Sequence, residues 1–281
     1  MKVINTAKDI QERSDQIRSQ GKTIAFVPTM GFFHEGHLSL MRRGRELSDE
    51  LVISIFVNPT QFGPQEDFES YPRDLERDLQ LAEKVGVDAV FTPDKLELYP
   101  EGFQTYTELE KLPNHLCGLS RPVFFKGVAT VVAKLFNIVK PHVAVFGEKD
   151  YQQLAVIRQM VRDLNFDIRI VGGPTVREPD GLAMSSRNNY LTAEQRPSAL
   201  TLYKSLVKVK ELVKRGVKDA EEIMQAATEL ITSQPETRID YISICDPENL
   251  EDIKIIDRPA VMALAVKVGR TRLIDNMILN P

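Results

Sequence analysis

Cysteine is scarce in this 281-residue chain, which contains only Cys117 and Cys245. Two isolated thiols make neither a disulfide framework nor a C-x-x-C metal site, and both are read as small packing residues. No apolar run approaches the ~20 residues that a membrane helix requires. Residues 1–16 are polar and lack the apolar stretch of a signal peptide. A basic excess is missing too: 36 Lys and Arg stand against 40 Asp and Glu, a formal net charge of −4. Nucleic-acid binders carry the opposite balance, gathered in a basic stripe. There are no long repeats and no low-complexity tracts. The expectation is a cytoplasmic protein with no membrane and no nucleic-acid partner, although a local basic pocket for a phosphorylated ligand stays open.

What is present is enough apolar material for a core, with 42% hydrophobic residues. Short β-branched runs at 24–27, 51–57, 89–91, 143–146 and 168–171 predict strands. They are nearly continuous in apolar character, as strands of a parallel sheet covered on both faces are. Amphipathic stretches lie between them. Val128, Val131, Val132, Leu135, Ile138 and Val139 share one helical face, and Leu154, Ile157, Met160 and Leu164 share another. Thr6 and Asp9 form a capping-box-like helix start, with Gly21 as its stop. Strand–helix alternation predicts a doubly wound α/β sheet. Residues 172–181, rich in glycine and proline, read as a connector between domains. Beyond it come helical stripes (Leu202, Leu206, Val209, Val213; then Ile223, Ala226, Ala227, Leu230) and strand-like runs at 240–244, 260–268 and 272–277. That part reads as a smaller α+β domain.

Four segments carry chemistry. The first strand runs into Pro28-Thr29-Met30-Gly31-Phe32-Phe33-His34-Glu35-Gly36-His37, with a helix expected to start at or near Gly36. A helix N-terminus at the carboxyl end of a strand attracts phosphate. Two imidazoles in that turn add donors for charge building on phosphorus. A zinc site fits poorly, because the spacing is not i, i+4 and no third ligand is evident. The second strand ends in Asn58-Pro59-Thr60-Gln61-Phe62, where an amide can donate to and accept from a small polar ligand. The strand at 143–146 leads into Gly147-Glu148-Lys149-Asp150-Tyr151-Gln152-Gln153, with a cation for phosphate and a glutamine in the following helical turn. Past the connector, Met184-Ser185-Ser186-Arg187 offers two hydroxyls and a guanidinium able to bind two phosphate oxygens. The helix after it is capped by Thr192 or starts at Pro197.

The H-x-G-H turn after a first strand resembles the nucleotidyltransferase superfamily, which includes class I aminoacyl-tRNA synthetases. Taken with FVNPTQF, YPR (Tyr71 to Arg73), FGEKDYQQL, DGLAMSSRN and RLIDN (Arg272 to Asn276), the order of segments resembles the pantothenate synthetases, the pantoate–β-alanine ligases. The resemblance runs from Thr23 to Asn276. It implies a Rossmann-like domain at 1–175 binding ATP and pantoate, a lid domain at 176–281, and a homodimer. It implies condensation of (R)-pantoate with β-alanine through a pantoyl-adenylate, toward coenzyme A, with ATP as co-substrate and Mg²⁺ as cofactor. Met30 to His37 would contact ATP, with His34 and His37 on the reacting phosphates and His37 the proton donor. Gly147, Glu148, Lys149 and Asp150 would line the ATP site, Val176 would touch the adenosine part, and Met184, Ser185, Ser186 and Arg187 would play the superfamily's KMSKS role. Gln61 and Gln153 would bind pantoate, and Gln61 would also help to place β-alanine. The metal ligands are not assigned. Phe32 and Phe33 depart from the smaller residue and leucine expected there. A nucleotidyltransferase that stops at adenylation, an ATP-sensing module and a tRNA ligase are the rival readings. The first needs no amine acceptor, the second gives the histidines no purpose, and the third lacks a basic RNA-reading region.

Overall fold

The computed structural model describes residues 1–64 and 66–281. In chain order its elements begin with β1 (Lys2–Ile4), α1 (Ala7–Ser19), β2 (Ile24–Thr29), α2 (Glu35–Glu46), β3 (Glu50–Ile55), α3 (Leu75–Lys84), β4 (Ala89–Phe91), α4 (Lys95–Leu98) and α5 (Leu116–Ser120). They continue with α6 (Phe124–Val139), β5 (Val143–Gly147), α7 (Tyr151–Asp163), β6 (Arg169–Gly173), α8 (Arg196–Lys214), α9 (Ala220–Thr232), β7 (Thr237–Cys245), β8 (Ala260–Val268) and β9 (Thr271–Leu279). Two compact units emerge: Met1–Glu110, Arg121–Glu148 and Val156–Pro174 form the first, and Lys111–Ser120, Lys149–Ala155 and Thr175–Pro281 the second.

The first unit is a six-stranded parallel sheet in the order β1-β4-β3-β2-β5-β6. Residues 24–27 of β2 are fully buried because β2 is central and covered on both faces. The chain moves outward from β2 through β3 to β4, then resumes on the other side of β2 with β5 and β6. Strand order therefore reverses between β3 and β5, at β2, the kind of position where open α/β sheets bind ligands beyond the carboxyl ends of their strands. The expected Thr6 cap is present, its Oγ accepting from the Asp9 N–H at 3.2 Å. Ala25, Val27, Met41, Leu51, Ile53 and Val145 lie in one buried cluster of this unit.

Several boundaries differ from the sequence reading. β1 is three residues long and mostly exposed, too short to signal itself. β3 stops at Ile55 because Pro59–Gln61 turn into a 3₁₀ helix. Leu164 falls beyond α7 and is exposed. Gly172 and Gly173 belong to β6, paired with Phe146 and Gly147, instead of opening a connector. Their missing side chains serve packing. A Cβ on Gly173 would lie 2.2 Å from Leu40 Cδ2, and one on Gly172 would lie 2.7 Å from Glu148 Oε1.

The second unit is an antiparallel sheet, β7-β8-β9, packed with α8 and α9. All of β8 is buried except Lys267. Leu202, Leu206, Val209 and Val213 point into this core as expected, whereas on α9 the buried stripe is Ile223, Ala227 and Ile231. α8 starts at Arg196 with Pro197 in its first turn, where a missing N–H costs nothing. Among the described residues no helix is long and apolar enough to cross a membrane.

Candidate active site

At the switch point β2 delivers Met30 and Gly31 into a turn that only a special backbone can make. Gly31 has φ +86° and Phe32 φ +53°. A buried carboxylate holds this strain. Asp78 of α3, 1% exposed, accepts the Phe32 N–H on Oδ2 at 2.6 Å and the Phe33 N–H on Oδ1 at 2.7 Å. A Cβ on Gly31 would come within 3.0 Å of the same Oδ2, so only glycine lets the carboxylate approach unhindered. Burial pushes the Asp78 carboxyl up, against the pull of those two backbone donors and of Arg77. The two unexpected phenylalanines have separate jobs. Phe33 is buried in the core of the first unit, and Phe32 lies under the Arg77 guanidinium, 5.4 Å from its ring centre.

The turn ends in α2, which starts at Glu35 with His34 as its cap. His34 Nδ1 accepts the Gly36 N–H at 3.2 Å, and His37 Nδ1 accepts the His34 N–H at 3.2 Å. The pair forms a capping box built from imidazoles, with ring centres 4.1 Å apart. A nitrogen that accepts an N–H cannot carry a proton itself. Both rings therefore hold their proton on Nε2, as donors at a helix N-terminus. Glu35 is engaged elsewhere: its hydrogen bond to Arg42 holds its carboxyl below the usual range.

Gln61 sits in the same unit, 7% exposed, and a polar hub sets its orientation. Asn58, 1% exposed, donates from Nδ2 to Gln61 Oε1 and to the Gly127 carbonyl, both at 3.1 Å. Its Oδ1 accepts from the Thr60 and Tyr99 hydroxyls, both at 2.9 Å. With Oε1 occupied, Gln61 presents its Nε2, which meets Met30 Sδ at 3.1 Å. A thioether is a weak acceptor that a carboxylate would displace. Gly127 makes this possible from α6, since its Cβ would lie 2.3 Å from the Thr60 oxygen and 2.7 Å from Gln61 N. Backbone against backbone cannot yield. Gly127→Ala is therefore expected to lower the thermal unfolding midpoint, by an overpacking cost of about 1–3 kcal/mol. An unchanged midpoint would refute this packing argument.

Two arginines tie down described residues from Gln61 to YPR. Arg121 donates to both Glu66 oxygens at 2.6 Å and to the Gln61 carbonyl at 3.2 Å. Arg73, in YPR, donates to the carbonyls of Phe68, Glu69 and Tyr71, so its guanidinium stitches the loop.

In the second unit the sequence 176–184 is a hairpin. Met184 N donates to Val176 O at 3.0 Å and Glu178 N to Leu182 O at 2.8 Å. Gly181, at φ +101°, turns it under the Tyr203 ring. The hairpin delivers Met184 into Ser185, whose Oγ caps the 3₁₀ helix Ser186–Tyr190 by accepting the Arg187 N–H at 3.3 Å. Gly147 is the last residue of β5, and Glu148, Lys149 and Asp150 form a 3₁₀ turn after it, with Asp150 exposed. The two neighbouring glutamines separate clearly. Gln152 is 6% exposed and spends its amide on Cys117 N and on the carbonyls of Leu112 and His115. Gln153 is half-buried, in the first turn of α7.

Thus the first unit brings together Met30 to His37 with Gln61, and the second joins Val176 to Met184 and its following serines. Asp78, Asn58, Tyr99 and Gly127, which support the first set, are not among the expected site residues. Nothing local marks Asp78, Tyr99 and Gly127, since each acts on a segment distant in sequence, whereas Asn58 lies within the segment of Gln61.

Comparison with known proteins fits this geometry. The family model for pantoate-beta-alanine ligase matches residues 2–278. A pantothenate synthetase of Desulfatibacillum aliphaticivorans is 62% identical over 281 residues, spanning 100% of both chains. The crystal structure of pantothenate synthetase from Thermus thermophilus superposes with a TM-score of 0.95 at 45% identity, covering 100% of both chains. That of pantoate-beta-alanine ligase from Francisella tularensis, complexed with beta-gamma ATP and beta-alanine, gives 0.82 at 33% identity over 99% of this chain and 97% of that one. Matched end to end at these identities, the chain belongs to the pantoate–β-alanine ligase family.

Proposed function

We propose that this chain condenses pantoate with β-alanine at the expense of ATP, through a pantoyl-adenylate, releasing AMP and pyrophosphate. The observation that carries the reading is the imidazole capping box at the switch point of the sheet, which sets both ring protons on Nε2. In the first step a pantoate carboxylate oxygen attacks the α-phosphorus, and the bond to the bridging β-phosphate oxygen breaks. No covalent protein nucleophile is required; alignment and charge neutralisation suffice. His34, His37, Lys149 and Arg187 are assigned to that task, with His37 as proton donor. The Gln61 Nε2 and Gln153 amides are assigned to pantoate. In the second step the neutral β-alanine amine attacks the acyl carbon and AMP departs.

The remaining ATP contacts are assigned by position: Met30 to Gly36 around the first helix start, Gly147, Glu148 and Asp150 at the end of β5, Val176 at the adenosine, and Met184, Ser185 and Ser186 beside Arg187. Among the described residues no three His, Cys, Asp or Glu side chains converge as a cation site. A Mg²⁺ carried in on the ATP phosphates would neutralise their charge. The same proposal includes an ATP- and pantoate-binding domain at 1–175, a lid domain at 176–281, a homodimer and a cytoplasmic location.

ATP–pyrophosphate exchange tests it. Exchange should require pantoate and proceed without β-alanine, and adding β-alanine should release AMP and pantothenate. Pantoate-independent exchange, or AMP release indifferent to the amine, would refute the two-step ligase.

A further inference from the structure

Late in the chain, β9 carries two adjacent polar residues with different destinations. Asp275 is 3% exposed. Its Oδ2 accepts from Arg177 Nη1 at 2.6 Å and its Oδ1 from Arg177 Nη2 at 2.9 Å. Arg177 Nη1 also donates to the Gly181 carbonyl at 3.1 Å, and the guanidinium stacks 4.3 Å from the Tyr203 ring centre. Asp275 thereby closes the 176–184 hairpin whose far strand runs into Met184–Arg187. A bidentate carboxylate–guanidinium pair defines orientation as well as distance.

Asn276 comes next, and successive strand residues face opposite sides of the sheet. Its Nδ2 donates to the carbonyl of Lys149 at 2.9 Å. The two residues are themselves joined, since Asp275 Oδ1 accepts the Asn276 N–H at 2.8 Å. β9 cannot slide under this load. It is registered on β8, with Leu264 of the unit's core opposite Asp275 and the buried Ala263 opposite Asn276. Neither contact belongs to a helix or sheet ladder. An apolar residue at 276 would satisfy the sheet equally well and leave the Lys149 carbonyl without this donor.

We propose that Asp275 and Asn276 are positioning residues: through one rigid strand they set the backbone of Lys149 and the hairpin feeding Arg187 at fixed places. This rests on the assignment of Lys149 and Arg187 to the phosphates. Asn276 acts through the Lys149 carbonyl, and Asp275 through Arg177 and its hairpin.

A double-mutant cycle on pantoate-dependent ATP–pyrophosphate exchange tests the Asn276 arm. Asn276→Ala is expected to lower kcat/KM for ATP roughly 10–100-fold, the cost of a displaced phosphate contact. In a Lys149→Ala background the same change should cost less than about twofold, because the carbonyl that Asn276 holds no longer carries the ammonium it positions. Asn276→Leu roughly keeps the side-chain size, loses the amide donor and adds no charge. It should behave like the alanine variant, and it carries the test if that variant does not fold. An equal loss in both backgrounds, or no loss from either substitution at 276, would overturn the positioning role alone. Normal exchange by Lys149→Ala would instead remove the phosphate role of Lys149, and the inference with it.

Discussion

Replacing His37 with alanine is expected to slow pantoyl-adenylate formation by about 10²–10⁴-fold, the range typical of a positioned acid–base group. The measurement is pantoate-dependent ATP–pyrophosphate exchange. Two effects combine. The Nε2 proton that can follow charge onto the leaving phosphate disappears. The His34 N–H also loses its acceptor at 3.2 Å, so the cap that holds the second imidazole loosens. A lost cap costs about 1 kcal/mol of stability. The thermal midpoint should therefore fall only slightly while exchange collapses. Near-normal exchange would show that the capping box is structural and the proton comes from elsewhere.

Asp78→Ala is expected to damage both folding and catalysis. It leaves the Phe32 and Phe33 N–H groups without their acceptor at a turn that already holds two positive φ angles. Each buried donor left unsatisfied costs about 1–3 kcal/mol, so the pair should cost about 2–6 kcal/mol in denaturant unfolding. Asp78→Asn should fall between, since one amide oxygen still accepts while the NH₂ confronts the other N–H. Exchange should drop with both variants because His34 follows directly on the released turn. If the alanine variant unfolded at the wild-type denaturant concentration, the turn would keep its shape without the carboxylate.

These two predictions sit on opposite sides of what a linear reading can reach. His34 and His37 are visible as a local pattern because a strand, a tight turn and a helix start are neighbours in sequence. Asp78 is invisible as an anchor, since the hydrogen bonds that define it span 46 and 45 residues. Gln61 is legible as an amide at a strand end. Its orientation is not, because Asn58, Tyr99 and Gly127 fix it together, two of them from distant parts of the chain. The glycine pair at 172–173 reads as punctuation, yet it is packing space filled by Leu40 and Glu148. Composition cannot distinguish those two uses of a missing side chain.

By itself the sequence determined the alternation of elements, the buried faces of most helices and the motifs that share a chemistry. Apolar periodicity and helix-start signals are local, and they are written into consecutive residues. Tertiary structure alone decided the strand order that reverses at β2, the tautomers of the histidine pair, and which of Gln152 and Gln153 is consumed by the fold. It also decided that one late strand serves both Lys149 and the hairpin before Arg187. Hydrogen-bond saturation and close approach depend on which distant atoms arrive at the same place, and only the folded chain sets that.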